Sequence, residues 1–475
     1  MMKTPAPPSF PQPDQPLALA EEAHRGGRLE AAQGLYLRAV AQDPASIPAL
    51  RGLGTVLLQL RQFSQAIDIL THAHRLAPAN RDVADVLRAA HNNWANTLQA
   101  QGETKTAIDH YALALKLAPD NARTLYNLGV ALQSQGRLSE ARQQYQKAID
   151  HAPDFVAAWA NMGTALYESG QIDDAIHHLC QAVSLEPGHI DSLLNLGLAL
   201  AAKGETGQAT DCAKRALSLP SPPAFTMGLL LAKCGMTEDA ARYLSQSLID
   251  DPDDTQGAGI VMASLGLAQP PPRTSDAQLH RLYRAKAQSW DQGTTSATPY
   301  RGHIEVAQAA MRTCPAGLVL DAGCGTGLVG SLLPADRYRL DGVDISPAML
   351  EQAKAKGRYD HLECADLVAY LHVHPGRYDL ITAAATLIHF GDLYPPFEAA
   401  NKALKPGGWM IFTLFPRDDS MGLNGHAEGG CYQHGADEVA VQAAKAGFTV
   451  HSISDIIHEY RHGQPVTALL ISLMK

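Results

Sequence analysis

The sequence predicts two folded parts, an all-α superhelix of helix pairs in the N-terminal half and a doubly wound α/β domain in the C-terminal two-fifths. Three observations predict them: prolines that recur at intervals of 34 residues, a glycine-rich turn after an apolar run at 318–328, and short apolar runs that alternate with helical stretches beyond residue 275. Because the chain has 475 residues, it is too long for one ordinary hydrophobic core.

The overall composition disfavours several classes of protein. Hydrophobic residues make up 46% and charged residues 18%, which is ordinary for a globular protein. A net charge of -10 disfavours a nucleic-acid partner, and the absence of a long apolar run disfavours a membrane-spanning helix. Residues 1–12 are rich in proline and are expected to form a disordered lead, not a signal peptide. Seven cysteines without short paired spacing suit a reducing compartment, so a cytoplasmic protein is expected.

The N-terminal half repeats small and large residues at fixed distances from its prolines. Small residues let two helices cross closely, a large residue fills the space beside them, and proline begins the next turn. The alternative, a non-repetitive helical bundle, does not account for so many matches in register. The positions are Pro44, Pro78, Pro119, Pro153, Pro187 and Pro252; Gly54, Gly129, Gly163 and Gly228; and the large residues Tyr36, Leu70, Tyr111, Tyr145 and Leu179.

This spacing resembles the tetratricopeptide repeat, a pair of helices in about 34 residues. The resemblance implies a superhelix of about seven repeats over residues 13–254. One proline interval is 41 residues, so the seven extra residues near 81–87 are expected to lengthen a helix or a connector. Residues 255–274 are expected to hold a capping helix and a proline-rich linker, and residues 275–475 a separate α/β domain.

A glycine-rich turn follows the apolar run at 318–320 in the C-terminal part. The run ends at Asp321, and Gly323, Gly325 and Gly327 alternate strictly after it. Glycines at such a turn let the backbone approach a ligand closely, with the N–H groups of the following helix facing it. A nicotinamide site is the alternative, but its fingerprint requires the spacing G-x-G-x-x-G.

The turn and its preceding acid resemble motif I of the class I methyltransferases, and four further motifs follow in that family's order. The resemblance implies a Rossmann-like domain that binds S-adenosylmethionine. A carboxylate at Asp344 would accept hydrogen bonds from both ribose hydroxyls, and Asp366 would accept one from the adenine amino group. The implied cofactor-binding residues in these motifs are Asp321, Gly323, Cys324, Gly325, Gly327, Asp344, Ile345, Met349, Asp366 and Leu367.

The segments that flank these motifs resemble one subgroup, the bacterial methyltransferases with N-terminal tetratricopeptide repeats. Residues 282–302 match its first helix and aromatic cover, and residues 460–471 match its final hairpin. The resemblance implies that Tyr283, Trp290 and Tyr300 touch the cofactor. This sequence departs from the subgroup after the fourth strand, where Ala385 stands in place of a frequent acid.

The motifs by themselves assign no catalytic residue, because methyl transfer depends mainly on positioning and on the exclusion of water. An amine or hydroxyl acceptor also needs a base that removes a proton. A metal site at His426, Cys431 and His434 is not expected, since no fourth ligand is evident. The loops expected to face the cofactor carry five candidate bases, His389, Tyr394, His426, Tyr432 and His434.

Four consecutive repeats place an asparagine at the same position of their first helix, where residues of the inner groove lie. Each amide offers a donor and an acceptor, so a row of them can bind the backbone of an extended peptide. This row resembles the asparagine ladder of the O-linked N-acetylglucosamine transferase. The alternative is that the side chains bind only the neighbouring helix. The predicted peptide-binding residues are Asn93, Asn127, Asn161 and Asn195.

Three functions are compatible with these features. The favoured one is an enzyme that methylates a protein or peptide held by the repeats. The second is a small-molecule methyltransferase whose repeats serve assembly or regulation. The third is a non-enzymatic scaffold, which the complete set of cofactor motifs disfavours. The motifs do not distinguish the first two functions, because a fold does not identify its acceptor.

Overall fold

The computed structural model divides the chain into two compact units, Met1–Ala165 and Leu166–Lys475. The predicted lead over residues 1–12 lies outside the described part of the chain. The described residues are 15–287, 290–291, 300–417, 431–461 and 464–475.

The first unit consists of helices that pack as consecutive pairs, α1 with α2, α3 with α4, α5 with α6 and α7 with α8. Helix α5 has 20 residues where α3 and α7 have 13, so the extra residues near 81–87 lengthen a helix. The helices are α1 Gln15–Arg25, α2 Leu29–Gln42, α3 Ile47–Gln59, α4 Phe63–Leu76, α5 Arg81–Ala100, α6 Thr104–Leu117, α7 Ala122–Ser134, α8 Leu138–His151 and α9 Val156–Glu168, which ends in the second unit.

Glycine and a large residue meet where the two helices of a repeat cross. A Cβ atom on Gly54 would lie 2.4 Å from the Leu70 side chain, and one on Gly129 would lie 2.5 Å from the Tyr145 ring. Leu70 and Tyr145 are themselves fully buried. A larger residue at either glycine would therefore force the helices apart, which explains why the small residues recur at fixed spacing.

The second unit begins with further helix pairs, in which α11 packs on α12 and α13 on α14. The short helix α15 packs against α13 and α14 and closes this helical part. The helices are α10 Ile172–Leu185, α11 Ile190–Lys203, α12 Thr206–Leu217, α13 Ala224–Lys233, α14 Thr237–Asp250 and α15 Ala258–Ser264.

The rest of the second unit is built on one sheet with the strand order β3-β2-β1-β4-β5-β8-β7, and β6 pairs with β5. Strands β1 to β5 are parallel, whereas β8 is antiparallel to both its neighbours. The strands are β1 Gly317–Ala322, β2 Tyr338–Asp344, β3 His361–Cys364, β4 Tyr378–Ala383, β5 Leu404–Pro416, β6 Gln433–His434, β7 Thr449–Arg461 and β8 Gln464–Met474.

Helices cover both faces of this sheet, as short crossovers between parallel strands require. Helix α19 shows how the local sequence sets a boundary, because Ser346 accepts a hydrogen bond from Met349 N–H and Pro347 takes the first turn. The helices are α16 Asp276–Lys286, α17 Gly302–Thr313, α18 Leu328–Leu332, α19 Pro347–Ala355, α20 Leu367–His372, α21 Tyr394–Ala403 and α22 Ala436–Lys445.

The predicted fold class is confirmed. Paired helices make up the N-terminal part, and the C-terminal part is a doubly wound α/β domain with an antiparallel hairpin at one edge. Within the described ranges, no helix has the length and apolar character needed to cross a membrane.

Candidate functional site

The candidate site is a pocket at the point where the strand order reverses between β1 and β4. Loops at the carboxyl ends of parallel strands diverge there, which opens a crevice in doubly wound sheets. Twelve of the thirteen residues predicted to bind the cofactor line this pocket. They are Tyr283, Trp290, Tyr300, Asp321, Gly323, Cys324, Gly325, Asp344, Ile345, Met349, Asp366 and Leu367.

The three glycines after β1 serve different purposes. Gly323 has a φ of 67°, and a Cβ atom there would lie 2.3 Å from Thr386 Oγ1. Gly325 has a φ of 54°, but a Cβ atom there would meet nothing within 4 Å, since this glycine borders open space in the pocket. Gly327, the thirteenth predicted residue, packs against the Tyr359 ring instead of lining the pocket. Gly325 is therefore the position where a ligand can approach the backbone most closely.

Asp344 connects the end of β2 to the glycine turn. Its Oδ2 accepts a hydrogen bond of 2.8 Å from Gly325 N–H, and its Oδ1 accepts one of 2.8 Å from Ser346 N–H. Burial raises the pKa of Asp344, and the two backbone N–H groups oppose this by stabilising the charged form. Each carboxylate oxygen has a second lone pair, so the group can accept further hydrogen bonds from a ligand in the pocket.

Asp321, at the end of β1, is 1% exposed and is held by protein donors. Tyr359 OH donates to Oδ2 over 2.6 Å and Thr382 Oγ1 donates to Oδ1 over 3.0 Å. Burial raises the pKa of Asp321 to about 6, although the hydrogen bonds from Tyr359 and Thr382 lower it. Its carboxylate thus connects the end of β1 to Thr382 in β4 and to Tyr359, which precedes β3.

We expect Asp321→Asn to remove a loss of stability that the wild-type chain undergoes as pH rises. A carboxyl whose pKa is higher in the folded state binds its proton more tightly there, so ionisation lowers stability as pH rises from about 4 to about 6. Asparagine does not ionise, so the stability of the variant relative to the wild type should rise by about 3 kcal/mol over this pH range and level off above it. The hydrogen bond that the amide nitrogen cannot accept offsets part of this gain at every pH. Calorimetric melting of both proteins between pH 4 and pH 8 checks this. A difference in melting temperature that does not change with pH would contradict it, and Asp360→Asn is the exposed control.

Aromatic side chains cover the pocket. The Tyr283 and Trp290 ring centroids are 5.8 Å apart, and those of Trp290 and Tyr300 are 6.1 Å apart. Asp291, next to Trp290, accepts a hydrogen bond of 2.5 Å from Thr326 Oγ1 in the glycine turn and pairs with Lys356 at 2.6 Å. The polar contacts of Asp291 therefore fasten the aromatic cover to the turn that it covers.

Among the candidate bases within the described residues, His389 alone lines the pocket. It is 5% exposed and follows β4 in the short 3-10 helix Leu387–His389. Its Nε2 lies 2.6 Å from Tyr283 OH. Burial raises the pKa of Tyr283 well above its ordinary value, so the phenol stays protonated and can donate to Nε2 of a neutral imidazole.

The other candidate bases make contacts elsewhere. Tyr432 OH donates to Pro271 O over 2.9 Å, and His434 Nε2 donates to Phe390 O over 2.8 Å. The Lys445 ammonium lies 4.2 Å from the centroid of the Tyr394 ring. The prediction for His426 lies outside the described residues.

Several lining residues were not predicted from the sequence. His303, on α17, is 7% exposed and stacks on Tyr300 with the ring centroids 5.1 Å apart. Burial lowers the pKa of His303 to about 4, so its imidazole is neutral at pH 7. Ala385, where the subgroup often has an acid, adopts a φ of 60° and donates its N–H to Thr413 Oγ1. No local motif marks His303, because it reaches the pocket only through the packing of α17, whereas the position of Ala385 follows the fourth-strand motif.

Two of the predicted asparagines in the first unit, Asn127 and Asn161, bind neighbouring helices. Asn127 Nδ2 lies 3.4 Å from Asn92 Oδ1 and 3.3 Å from Asn96 Oδ1. Asn161 Nδ2 donates to Tyr126 OH over 3.2 Å. Asn93 is exposed, whereas Asn127, Asn161 and Asn195 are partly buried. Within the first unit, hydrogen bonds thus connect side chains on the first helices of three consecutive repeats. We call this set the polar row; its members are Asn92, Asn96, Tyr126, Asn127 and Asn161.

Comparisons with known proteins agree with this architecture. A family model described as a methyltransferase domain matches residues 320–412, which hold β1 to β5 and most of the pocket. Tetratricopeptide repeat models match residues 17–81, 85–154, 144–177 and 161–222. The chain carries a methyltransferase domain behind tetratricopeptide repeats.

The methyltransferase domain is similar to enzymes whose names indicate different acceptors. It is 30% identical over 104 residues to the ubiquinone biosynthesis O-methyltransferase of Thiobacillus denitrificans, across 21% of this chain and 45% of that protein. It is 29% identical over 142 residues to the 18S rRNA (guanine-N(7))-methyltransferase of Bos taurus, across 28% of this chain and 46% of that protein. The chain therefore spans about half the length of these curated relatives.

Among solved structures, an S-adenosylmethionine-dependent methyltransferase from Methanosarcina mazei is 16% identical, covers 34% of this chain and 92% of that chain, and has a TM-score of 0.30. A tetratricopeptide repeat protein named YrrB is 22% identical, covers 38% of this chain and 88% of that chain, and has a TM-score of 0.31.

Proposed function

We propose that the chain transfers a methyl group from S-adenosylmethionine to a nucleophile on an acceptor molecule. The observation that carries the proposal is the open space at Gly325 beside the carboxylate of Asp344. Apolar side chains of Ile345, Met349 and Leu367 line the same pocket. This combination suits an adenosine group, which has two ribose hydroxyls to donate and a flat apolar base to bury.

The proposed roles follow from the positions of the side chains. The bound cofactor supplies a sulfonium whose methyl group is electrophilic. Asp344 would hold the ribose hydroxyls, and Asp366 would accept from the adenine amino group. The aromatic cover would exclude water, which strengthens polar interactions inside the pocket. His389, which accepts from Tyr283 OH at the pocket wall, would take the proton that an amine or hydroxyl acceptor must lose by way of the phenol, which gives its own proton to Nε2 and receives the acceptor's proton.

Binding of S-adenosylhomocysteine, the demethylated cofactor, tests the proposal without a known acceptor. We expect the wild-type chain to bind it and Asp344→Ala to bind it 10- to 150-fold more weakly, or about 1.5–3 kcal/mol. The alanine loses the acceptor of the ribose hydroxyls and also releases the N–H groups of Gly325 and Ser346. Isothermal titration calorimetry measures both affinities.

Asp360→Ala is the matched control for this experiment, because Asp360 is an exposed acid of the same domain that pairs with Arg339. Its affinity should equal that of the wild type. A wild-type chain that binds neither S-adenosylhomocysteine nor S-adenosylmethionine would refute the proposed function. Unchanged affinity in Asp344→Ala would refute only the ribose assignment.

We propose further that the acceptor is a protein or peptide held by the repeats. The polar row of Asn92, Asn96, Asn127, Tyr126 and Asn161 supports this proposal, because neighbouring hydrogen bonds hold its amides in fixed orientations. Such fixed groups lose little conformational freedom when they bind an extended backbone. The alternative is a small-molecule acceptor, which the name of the ubiquinone biosynthesis relative favours.

The two acceptor classes can be separated by incubating the chain with radiolabelled S-adenosylmethionine and a cell extract. Label that precipitates with protein and becomes soluble after protease treatment indicates a protein acceptor. Label that passes a small-pore filter before protease treatment, in a compound that chromatography separates from S-adenosylmethionine, indicates a small molecule. Asp344→Ala provides the background in both fractions.

A further inference from the structure

The linker between α15 and α16 is bonded to the pocket wall. Pro272 O accepts hydrogen bonds from Gly391 N–H at 2.8 Å and Asp392 N–H at 3.0 Å, and Thr274 N–H donates to His389 O over 2.9 Å. Thr274 is fully buried. Between them, Arg273 forms an antiparallel bridge with Phe390. The linker therefore lies along the segment that follows β4 and has a fixed position there.

This position places the Arg273 side chain in the pocket, between two carboxylates. One guanidinium nitrogen pairs with Asp366 Oδ2, and another pairs with Asp276 Oδ1 at 2.5 Å. A planar guanidinium with two such partners has little rotational freedom. Only a third of the Arg273 side chain is exposed.

Asp366 is fixed by the protein at both oxygens. Oδ1 accepts a hydrogen bond of 2.9 Å from Ala369 N–H at the start of α20, and Oδ2 accepts one from Arg273. Each oxygen can accept one more hydrogen bond. Asp366 is thus held as an oriented acceptor within the pocket, beside Leu367 and Met349.

We propose that Arg273 is a positioning residue for the adenine end of the cofactor, acting through Asp366. The inference rests on the proposed function, since it assigns adenine to this end of the pocket. Arg273 belongs to the linker and lies outside the segment that matches the methyltransferase family model, residues 320–412. Recognition of the adenine amino group thus depends on a residue that the linker supplies.

The test compares two ligands in the full-length chain. S-adenosylhomocysteine carries the 6-amino group, whereas S-inosylhomocysteine has a carbonyl oxygen at position 6, which cannot donate to Asp366, and its ring donor is the neighbouring N1–H. The wild type should prefer the adenosyl ligand by at least tenfold. In Arg273→Ala we expect affinity for the adenosyl ligand to fall 5- to 30-fold and the preference to fall below threefold. Arg273→Lys, which keeps the charge, should recover part of the preference.

Arg281→Ala controls for general effects on folding, and a double variant tests whether Arg273 acts through Asp366. Arg281→Ala removes an arginine of α16 that donates to Thr255 O and does not line the pocket, so both affinities should stay at the wild-type values. The double variant Arg273→Ala, Asp366→Ala should show the same preference for the adenosyl over the inosyl ligand as Asp366→Ala alone, as expected for residues that act together.

Three results would overturn the inference. If Arg273→Ala lowers the affinity for both ligands by the same factor, the substitution has a general effect on the pocket. Tighter binding of S-adenosylhomocysteine by that variant would show that Arg273 competes with the ligand for Asp366. Unchanged affinities would show that Asp366 needs no partner. A wild type that binds neither ligand would instead refute the proposed function.

Discussion

Gly325→Val is expected to weaken binding of S-adenosylhomocysteine by more than about 100-fold while the chain stays folded. A Cβ atom at this position meets no atom within 4 Å outside the adjacent residues, so the valine side chain starts in the space left for the ligand. The φ of 54° disfavours a branched residue and costs about 1–2 kcal/mol of stability. Calorimetric titration measures the affinity, and thermal melting measures the cost in stability.

Gly357→Val is the matched control for the backbone strain. Gly357 has a φ of 64°, and a Cβ atom there likewise meets no atom within 4 Å, but the residue does not line the pocket. Valine at this position should lower the melting temperature by a similar amount and leave the affinity unchanged. If both variants bind S-adenosylhomocysteine equally well, the ligand does not lie against Gly325.

A second large effect is expected when Asn127, Asn161 and Asn195 are replaced together by alanine. If a protein acceptor lies along the predicted asparagines, this triple variant should lose at least about 90% of protein methylation, because three amides no longer bind the acceptor backbone. Affinity for S-adenosylhomocysteine should equal that of the wild type. Asn127 and Asn161 also lose their hydrogen bonds to neighbouring helices, so the melting temperature should fall as well, with a cost in stability of about 0.5–1.5 kcal/mol for each bond.

The control for this variant replaces three exposed glutamines of the second helices, Gln146, Gln181 and Gln208, by alanine. It removes the same number of amides from helices that carry no part of the polar row. Protein methylation should stay at the wild-type rate. A triple asparagine variant that methylates its protein acceptor at the wild-type rate, with or without a lower melting temperature, would limit the asparagines to a structural role.

The sequence determined the fold and most of the candidate pocket. Spacing of 34 residues identified the helix pairs because a small residue must face a large one at each crossing, as Gly129 and Tyr145 do. Strict alternation of glycines after Asp321 located the turn at the end of β1. Both signals are local, since a helix pair or a strand-turn-helix unit is specified by residues within a few tens of positions.

Tertiary structure decided which residues face one another across the pocket. Tyr283 and His389 are 106 positions apart and share a hydrogen bond, and Arg273 reaches Asp366 across 93 positions. It also decided that Gly327 packs on Tyr359 and that Asn127 meets Asn92 and Asn96 rather than Asn93. Sequence spacing places residues along an element, but its rotation and neighbours depend on how whole elements pack.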